Sequence, residues 1–350
     1  MQVKLIISNL RSGGAEQCVV NLAESLKNMA VNIEILTLQA NGIDQRPASI
    51  QDITKNLNCA RTFHLVPKLF QRFRKQASET IVVVSFWPIA VAVCLLKFLL
   101  LRDLRLYYWE HHFNSKYTIL DRLVLKFLFR MLNGVIGWEK SIGSIVSICP
   151  YLDKLKYPFG NPVKVLASKQ DGSSYSRNHI CICSRLEESK GVVQSIYSFF
   201  LAAQEIDSRL IILGEGSLKE LLINLVHDLG IKDRCYFLGV VGVPSEYMRQ
   251  CALTLVTSPQ EGFCNVVAES ILVGTGVVSL KNGSVAESIC DPCSAIIVEN
   301  NDTVQIANAI TRYVKTGCKV SPGVVDLFSR YESDVWARNL LGIVANDLVP

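Results

Sequence analysis

Short apolar runs alternate along the chain with stretches in which apolar side chains recur every three or four positions. VKLIIS (3–8) predicts a strand. In AEQCVVNLAESLKNM (15–29), Val19, Val20, Leu22, Ala23 and Leu26 have helical spacing. VNIEILTL (31–38), TIVVVSF (80–86) and LRLYYWE (104–110) predict further strands, and the runs GVIGW (134–138) and SIVSIC (144–149) close the first half. In the second half ICICSRL, RLIILGEG, RCYFLGVV, LTLVTSP, GVVSL and AIIVE read as buried strands separated by helical stretches. No short-period repeat is present.

Between the halves lies YPFGNPVKV (157–165), with two prolines and a glycine, followed by the polar run SKQDGSSYSRNH (168–179). This is the best linker in the sequence. Strand–helix alternation on both sides of one linker predicts an α/β protein of two Rossmann-like, doubly wound domains facing across a cleft. The expected boundaries are 1–165, 166–328 and a C-terminal helix, 329–350, that returns toward the first domain. In such sheets ligands bind outside the carboxyl ends of the strands, so chemistry is expected on the loops that follow them.

The longest apolar stretch, PIAVAVCLLKFLLL (88–101), is interrupted by Lys97 and falls short of the ~20 residues a spanning helix needs. It predicts a buried helix. A monotopic surface helix is the alternative, because Arg102 and Arg105 follow and RFRK (72–75) precedes it. The opening MQVKLIISNLRSGGAE reads as a strand rather than a secretory signal. With twelve scattered cysteines and no export signal, reduced thiols in a cytosol are expected. Cys290 and Cys293 form one CxxC, which without further ligands cannot complete a tetrahedral zinc site. Cys181 and Cys183 alternate along an apolar run, so their thiols should share a strand face.

Charge divides unevenly. Residues 1–165 hold 21 Lys/Arg against 11 Asp/Glu, a net +10, whereas the remainder holds 15 against 20, a net −5. That asymmetry argues against a nucleic-acid-binding protein. It fits a first domain that meets something anionic, such as a phospholipid surface or a phosphorylated lipid, although a merely basic surface would look the same.

Four segments could carry chemistry. SGGAE (12–16) places two glycines between the first strand and first helix, where amides can approach a phosphate or sugar. CSRLEESKGV (183–192) sets Arg185 and Lys190 around a strand-to-helix turn as an anion clamp. IILGEGSLKELL (211–222) has a Gly-x-Gly at a strand end, but no full dinucleotide fingerprint occurs, which disfavours a nicotinamide cofactor. In TSPQEGFCNVVAESILVGTGVVS (257–279), Glu261 falls at a strand's carboxyl end and Glu269 on the inward face of the next helix. The amides of Phe263 through Val266 form that helix's N-terminus, an anion site. Two carboxylates beside an anion site suit hydroxyls, and a nucleotide sugar offers a diphosphate flanked by two hydroxyl-rich rings.

The ordered set GGAE, SRLxxxKG, LGEG, FLG and EGFxxxxxES resembles the retaining glycosyltransferases of family 4, which have the GT-B fold. The resemblance spans nearly the whole chain, and the E-x7-E segment is its most specific element. It implies that Gly13 and Gly14 contact the donor diphosphate or sugar, and that Arg185 and Lys190 bind the diphosphate. Glu261 would hold hydroxyls of the transferred sugar. Amides of Phe263, Cys264, Asn265 and Val266 would meet phosphate or sugar oxygens, Glu269 would accept the ribose hydroxyls, and backbone near Gly239 and Val240 would flank the base. In WEHHFNSKY (109–117), His111 best matches the family's cleft histidine, with His112 the neighbour that could be confused with it. His64, His179 and His227 read as structural. The sequence departs from the pattern at Ser184 and Cys264, both usually Gly, and at Gly276, usually Pro.

The resemblance further implies sugar transfer, retaining at the anomeric carbon, from a uridine-linked donor and with no cofactor or metal. The basic first half and segment 88–101 point to a glycan or lipid-linked oligosaccharide acceptor at an anionic cytoplasmic membrane face, in assembly of a bacterial surface polysaccharide or lipopolysaccharide. A catalytically idle nucleotide-sugar-binding regulator and a GT-B epimerase are the rivals. Intact Arg185, Lys190, Glu261 and Glu269 weigh against the first, and incubation of donor alone separates the second.

Overall fold

A computed structural model describes residues 2–11, 13–40, 47–59, 64–73, 80–100, 104–111, 117–165 and 178–346. The chain divides into two compact units, Met1–Val163 with Tyr331–Pro350, and Lys164–Arg330. Most of the polar run 168–179, and His112, lie outside the described residues.

The first unit is built on seven parallel strands: β1 (Gln2–Ile7), β2 (Asn32–Thr37), β3 (Thr54–Asn56), β4 (Thr80–Ser85), β5 (Arg105–Glu110), β6 (Gly134–Gly137) and β7 (Lys156–Tyr157). Their order is β3-β2-β1-β4-β5-β6-β7, so the direction of winding reverses between β1 and β4. Parallel strands covered on both faces read as continuous apolar runs, and all six residues of β4 are buried. Alternate residues serve opposite faces. Val82, Val84, Leu106 and Tyr108 join the core that includes the Leu65–Phe73 and Trp87–Leu100 helices. Val83, Tyr107 and Trp109 join the core beneath helices Gly14–Asn28 and Ser333–Asn346. Trp336 of the last helix stacks on Trp109 at 4.8 Å and donates its indole N–H to the Gly160 carbonyl, so this helix belongs to the first unit's core. SIVSIC is not a strand. Its residues through Ile148 form the end of the Glu139–Ile148 helix, with Ile142, Ile145 and Ile148 buried at helical spacing.

One charged cluster interrupts this sheet. Lys4 of β1 is fully buried in register opposite Glu34 of β2, and Glu34 also pairs with Arg72 and, at 2.9 Å, with Lys55. Burial by itself would raise the Glu34 carboxyl. Hydrogen bonds from Arg72, Lys4 and Lys55 outweigh burial and bring it down to about 2. Arg72 of the RFRK run is therefore engaged inside the unit.

The second unit carries β8 (His179–Cys183), β9 (Leu210–Leu213), β10 (Cys235–Gly239), β11 (Cys251–Val256), β12 (Gly276–Leu280) and β13 (Ala295–Val298), all parallel, in the order β10-β9-β8-β11-β12-β13. Winding reverses between β8 and β11. β10 is an edge strand with Tyr236 and Leu238 exposed, so RCYFLGVV is only half buried. Cys181 and Cys183 do share a face, packing in one cluster with Met248 and Val273. All twelve cysteines are free, and Cys293 Sγ lies 2.9 Å from Cys318 Sγ. Among the described residues no helix is long and apolar enough to cross a membrane, and no group of three or more His, Cys, Asp or Glu could hold a metal ion.

Candidate functional site

Winding reverses in the second unit between β8 and β11, and in open α/β sheets ligands bind at the strands' carboxyl ends beside such a reversal. The loop after β8 carries Arg185 and Lys190, and the loop after β11 carries Glu261. The structure joins them: Lys190 Nζ donates to Glu261 Oε1 at 2.7 Å, with the two side chains 24 % and 14 % exposed. The same carboxylate oxygen accepts from Ser258 Oγ at 2.7 Å. The Glu261 backbone N–H donates to the Asn282 carbonyl, while Asn282 Nδ2 donates to the Ser258 carbonyl. Both ends of the loop carrying Glu261 are thereby tied down.

Backbone fit places Lys190. Gly191 has φ +63°, and a Cβ there would fall well inside contact with the Thr257 carbonyl. Thr257 Oγ1 donates to the Gly191 carbonyl at 2.8 Å and shares a hydrogen bond with Ser195 Oγ at 2.6 Å. The turn after β8 is thus pressed onto the end of β11, which carries the ammonium to the carboxylate. Gly191, Thr257, Ser258 and Asn282 are the positioning residues that the sequence reading passed over. The signals were present in KG, TSP and KNGS, each directly at a strand end or turn.

Arg185 is exposed on the same turn. Its loop is held by backbone pairing with the Gly-x-Gly segment: Leu186 N–H donates to Glu215 O, and Leu218 N–H to Leu186 O. A Cβ on Gly214 or Gly216 would strike the backbone of Ser184 or Leu186. The two glycines of LGEG therefore serve close approach of two loops. Ser184, where Gly is usual, fits this arrangement by donating its N–H to Leu213 O.

Helix Asn265–Leu272 starts immediately after the Glu261 loop, with Cys264 as N-cap at φ +66°, ψ 81°. A left-handed backbone at a residue with a Cβ is strained, which explains why glycine is the usual occupant. The first-turn amides of Asn265 and Val266 emerge at the helix's positive end. Phe263 is buried, and its carbonyl accepts from Val285 N–H. One turn into the helix, Glu269 lies close enough to Cys183 and Cys264 to raise both thiols, although burial is the larger cause in each. Burial also pushes the Glu269 carboxyl from 4.5 up to about 7. Gly276, where Pro is usual, leaves room for Tyr313, which occupies the space a side chain would need and donates its hydroxyl to Cys293 O.

Gly239 closes β10 at φ +70°, and its carbonyl accepts from Gly214 N–H; the neighbouring Val240 is exposed. In the first unit, Gly13 is the extended N-cap of helix Gly14–Asn28. The Glu16 carboxylate folds back over Gly13. His111 follows β5, and its Nε2 lies 3.1 Å from Ser85 Oγ at the end of the adjacent β4. Its ring lies 4.6 Å from Trp109. The neighbouring Glu110 is buried and accepts from the hydroxyls of Tyr108 and Tyr117.

Residues 166–320 match the model of the family described as glycosyl transferases group 1. Among curated proteins, the N-acetyl-alpha-D-glucosaminyl L-malate synthase of Bacillus anthracis is 26 % identical over 147 residues, covering 42 % of this chain and 39 % of that protein. The N-acetylgalactosamine-N,N'-diacetylbacillosaminyl-diphospho-undecaprenol 4-alpha-N-acetylgalactosaminyltransferase of Campylobacter jejuni is 25 % identical over 186 residues, covering 52 % and 50 %. The chain thus spans half or less of the length of these relatives. Among solved structures, Anabaena HepE in complex with UDP superposes with a TM-score of 0.83 at 19 % identity, covering 99 % of this chain and 100 % of that one. Residues 166–320 of the second unit thus match the glycosyl transferases group 1 family, and the chain as a whole shares the GT-B fold.

Proposed function

We propose that the chain transfers a sugar from a uridine diphosphate sugar to a glycan acceptor, with retention at the anomeric carbon. The observation that carries this reading is the Lys190–Glu261 pair at the winding reversal of the second unit, beside the N-terminus of helix Asn265–Leu272. A cation, a carboxylate and a helix's positive end beside two neighbouring strand ends fit a diphosphate joined to a hydroxyl-bearing ring.

As the bond from the anomeric carbon to the diphosphate oxygen lengthens, negative charge grows on that oxygen and positive charge on the sugar. Lys190, the exposed guanidinium of Arg185 and the first-turn amides at Asn265 and Val266 answer the first. Glu261 orients the sugar hydroxyls and holds Lys190 in place. Glu269 accepts the ribose hydroxyls when ionised, and the backbone of Gly239 and Val240 borders the base. With two cations and a helix terminus in these roles, a chelator should leave the rate unchanged. Retention follows from departure of the diphosphate and attack by the acceptor hydroxyl on the same face, the phosphate oxygen taking its proton.

The acceptor is proposed to be a lipid-linked oligosaccharide at an anionic, cytoplasmic membrane face, within bacterial surface polysaccharide assembly. The Campylobacter relative, named for a diphospho-undecaprenol substrate, and the basic first half of the chain support this. NMR of the product made from a donor labelled at the anomeric carbon tests the reaction. A product with the donor's anomeric configuration is expected, and an inverted one overturns retention.

A further inference from the structure

Helix Ile119–Leu128 of the first unit begins with a capping box, in which Thr118 Oγ1 accepts from Asp121 N–H and the Asp121 carboxylate accepts from Thr118 N–H. The only acidic side chain of ILDRLVLKFL is therefore engaged at its own helix end. Leu125 turns inward, and Phe129, just past the helix, packs against Tyr108 at 5.2 Å. The opposite face is unusual. Ile119 is 82 % exposed, Leu120 70 %, Leu123 60 % and Phe127 65 %.

At helical pitch these four side chains fall within an arc of about 100°. Exposed Arg122 and Lys126, with Arg130 just beyond the helix, line one flank of that arc. The neighbouring helix Trp87–Leu100, which contacts this one, adds exposed Leu95, Phe98 and Leu99. Solitary exposed apolar residues need no explanation, but two adjacent helices presenting several large ones do. An apolar stripe edged by cations, in the half of the chain with net charge +10, is complementary to one kind of surface: acyl chains beneath anionic headgroups.

We propose that the outer face of helix Ile119–Leu128 lies in the headgroup region of an anionic phospholipid bilayer, and that it is the first unit's principal membrane contact. Leu120, Leu123 and Phe127 enter the acyl boundary, while Arg122, Lys126 and Arg130 pair with lipid phosphates. Segment 88–101 is secondary, because Ile89, Val93, Cys94 and Leu96 are buried in the core. The proposal deepens the lipid-linked acceptor reading above, yet vesicle binding requires neither donor nor transfer, so the two fail separately.

The test is flotation of the full chain with vesicles of phosphatidylcholine alone, or of equal parts phosphatidylcholine and phosphatidylglycerol, at low and high salt. Binding is expected to the anionic vesicles at low salt and to weaken at high salt. Leu123→Glu with Phe127→Glu should lower the partition coefficient at least about tenfold. Arg122→Glu with Lys126→Glu should remove most of the salt dependence. Leu221→Glu with Ile223→Glu, exposed positions of the second unit, should change nothing. Because every substituted side chain is exposed, thermal unfolding should be unaltered. Absence of binding at low salt, or binding insensitive to Leu123→Glu with Phe127→Glu, overturns the proposal. So does a self-associated chain that those substitutions convert to monomer while vesicles are ignored, since the face would then belong to a second copy.

Discussion

The carbonyl of Thr257 occupies the space that a Cβ on Gly191 would need, and this contact between two strand-end loops sets Lys190 on Glu261. Gly191→Ala must both strain a backbone at φ +63° and push the loops apart. The substitution should cost at least about 2 kcal/mol of stability and abolish transfer. Denaturant unfolding checks the first, and donor turnover the second.

Lys190 answers charge that develops as the diphosphate leaves. Lys190→Ala should lower kcat by roughly 10²–10³ while leaving a folded protein, because the carboxylate it abandons keeps Ser258 as a donor. Glu261→Gln should retain nucleotide binding and lose turnover, since the amide orients hydroxyls less well and no longer neutralises Lys190. Steady-state kinetics with thermal unfolding as a control distinguish these outcomes.

Glu269 gives the protein a pH signature. Its folded carboxyl titrates at about 7 against 4.5 for an ordinary glutamate, so between these values the folded state binds more proton than the unfolded one. The contribution of this group to stability is therefore fully present below 4.5 and is lost as pH rises through about 7, by roughly 3 kcal/mol in all. Glu269→Gln should flatten that decline and stabilise the protein above neutrality. Nucleotide affinity should move the other way in the wild type, rising as Glu269 ionises to accept the ribose hydroxyls. Urea unfolding and nucleotide titration across this range check both.

Cys264 offers a test of opposite signs. Glycine at φ +66° relieves about 1 kcal/mol of left-handed strain but frees the unfolded chain by a similar amount, so Cys264→Gly should be neutral or slightly stabilising. Cys264→Val, β-branched at the same angle, should destabilise by more than about 1 kcal/mol. Unfolding midpoints of the two variants decide it.

The elements were largely legible because parallel strands buried on both faces leave continuous apolar runs such as TIVVVSF and GVVSL. SIVSIC misled for the same reason, since six apolar-rich residues do not distinguish a buried strand from one turn of an inward helix face. The charged members of the site, Lys190 and Glu261, stood out at strand ends. Their supports did not, because Gly191, Thr257, Ser258 and Asn282 act through backbone contacts between loops distant in sequence. Helix Ile119–Leu128 escaped notice because its apolar spacing suits a buried face, and only the fold reveals which side Leu125 takes.

A pyrophosphate seat is the central feature proposed for the second unit, and calorimetric titration of UDP against uridine tests it most directly. The wild type should bind UDP at least about tenfold more tightly than uridine, and Lys190→Ala should erase most of that difference. Equal affinity for the two ligands, or a difference that survives loss of the Lys190 ammonium, would contradict it.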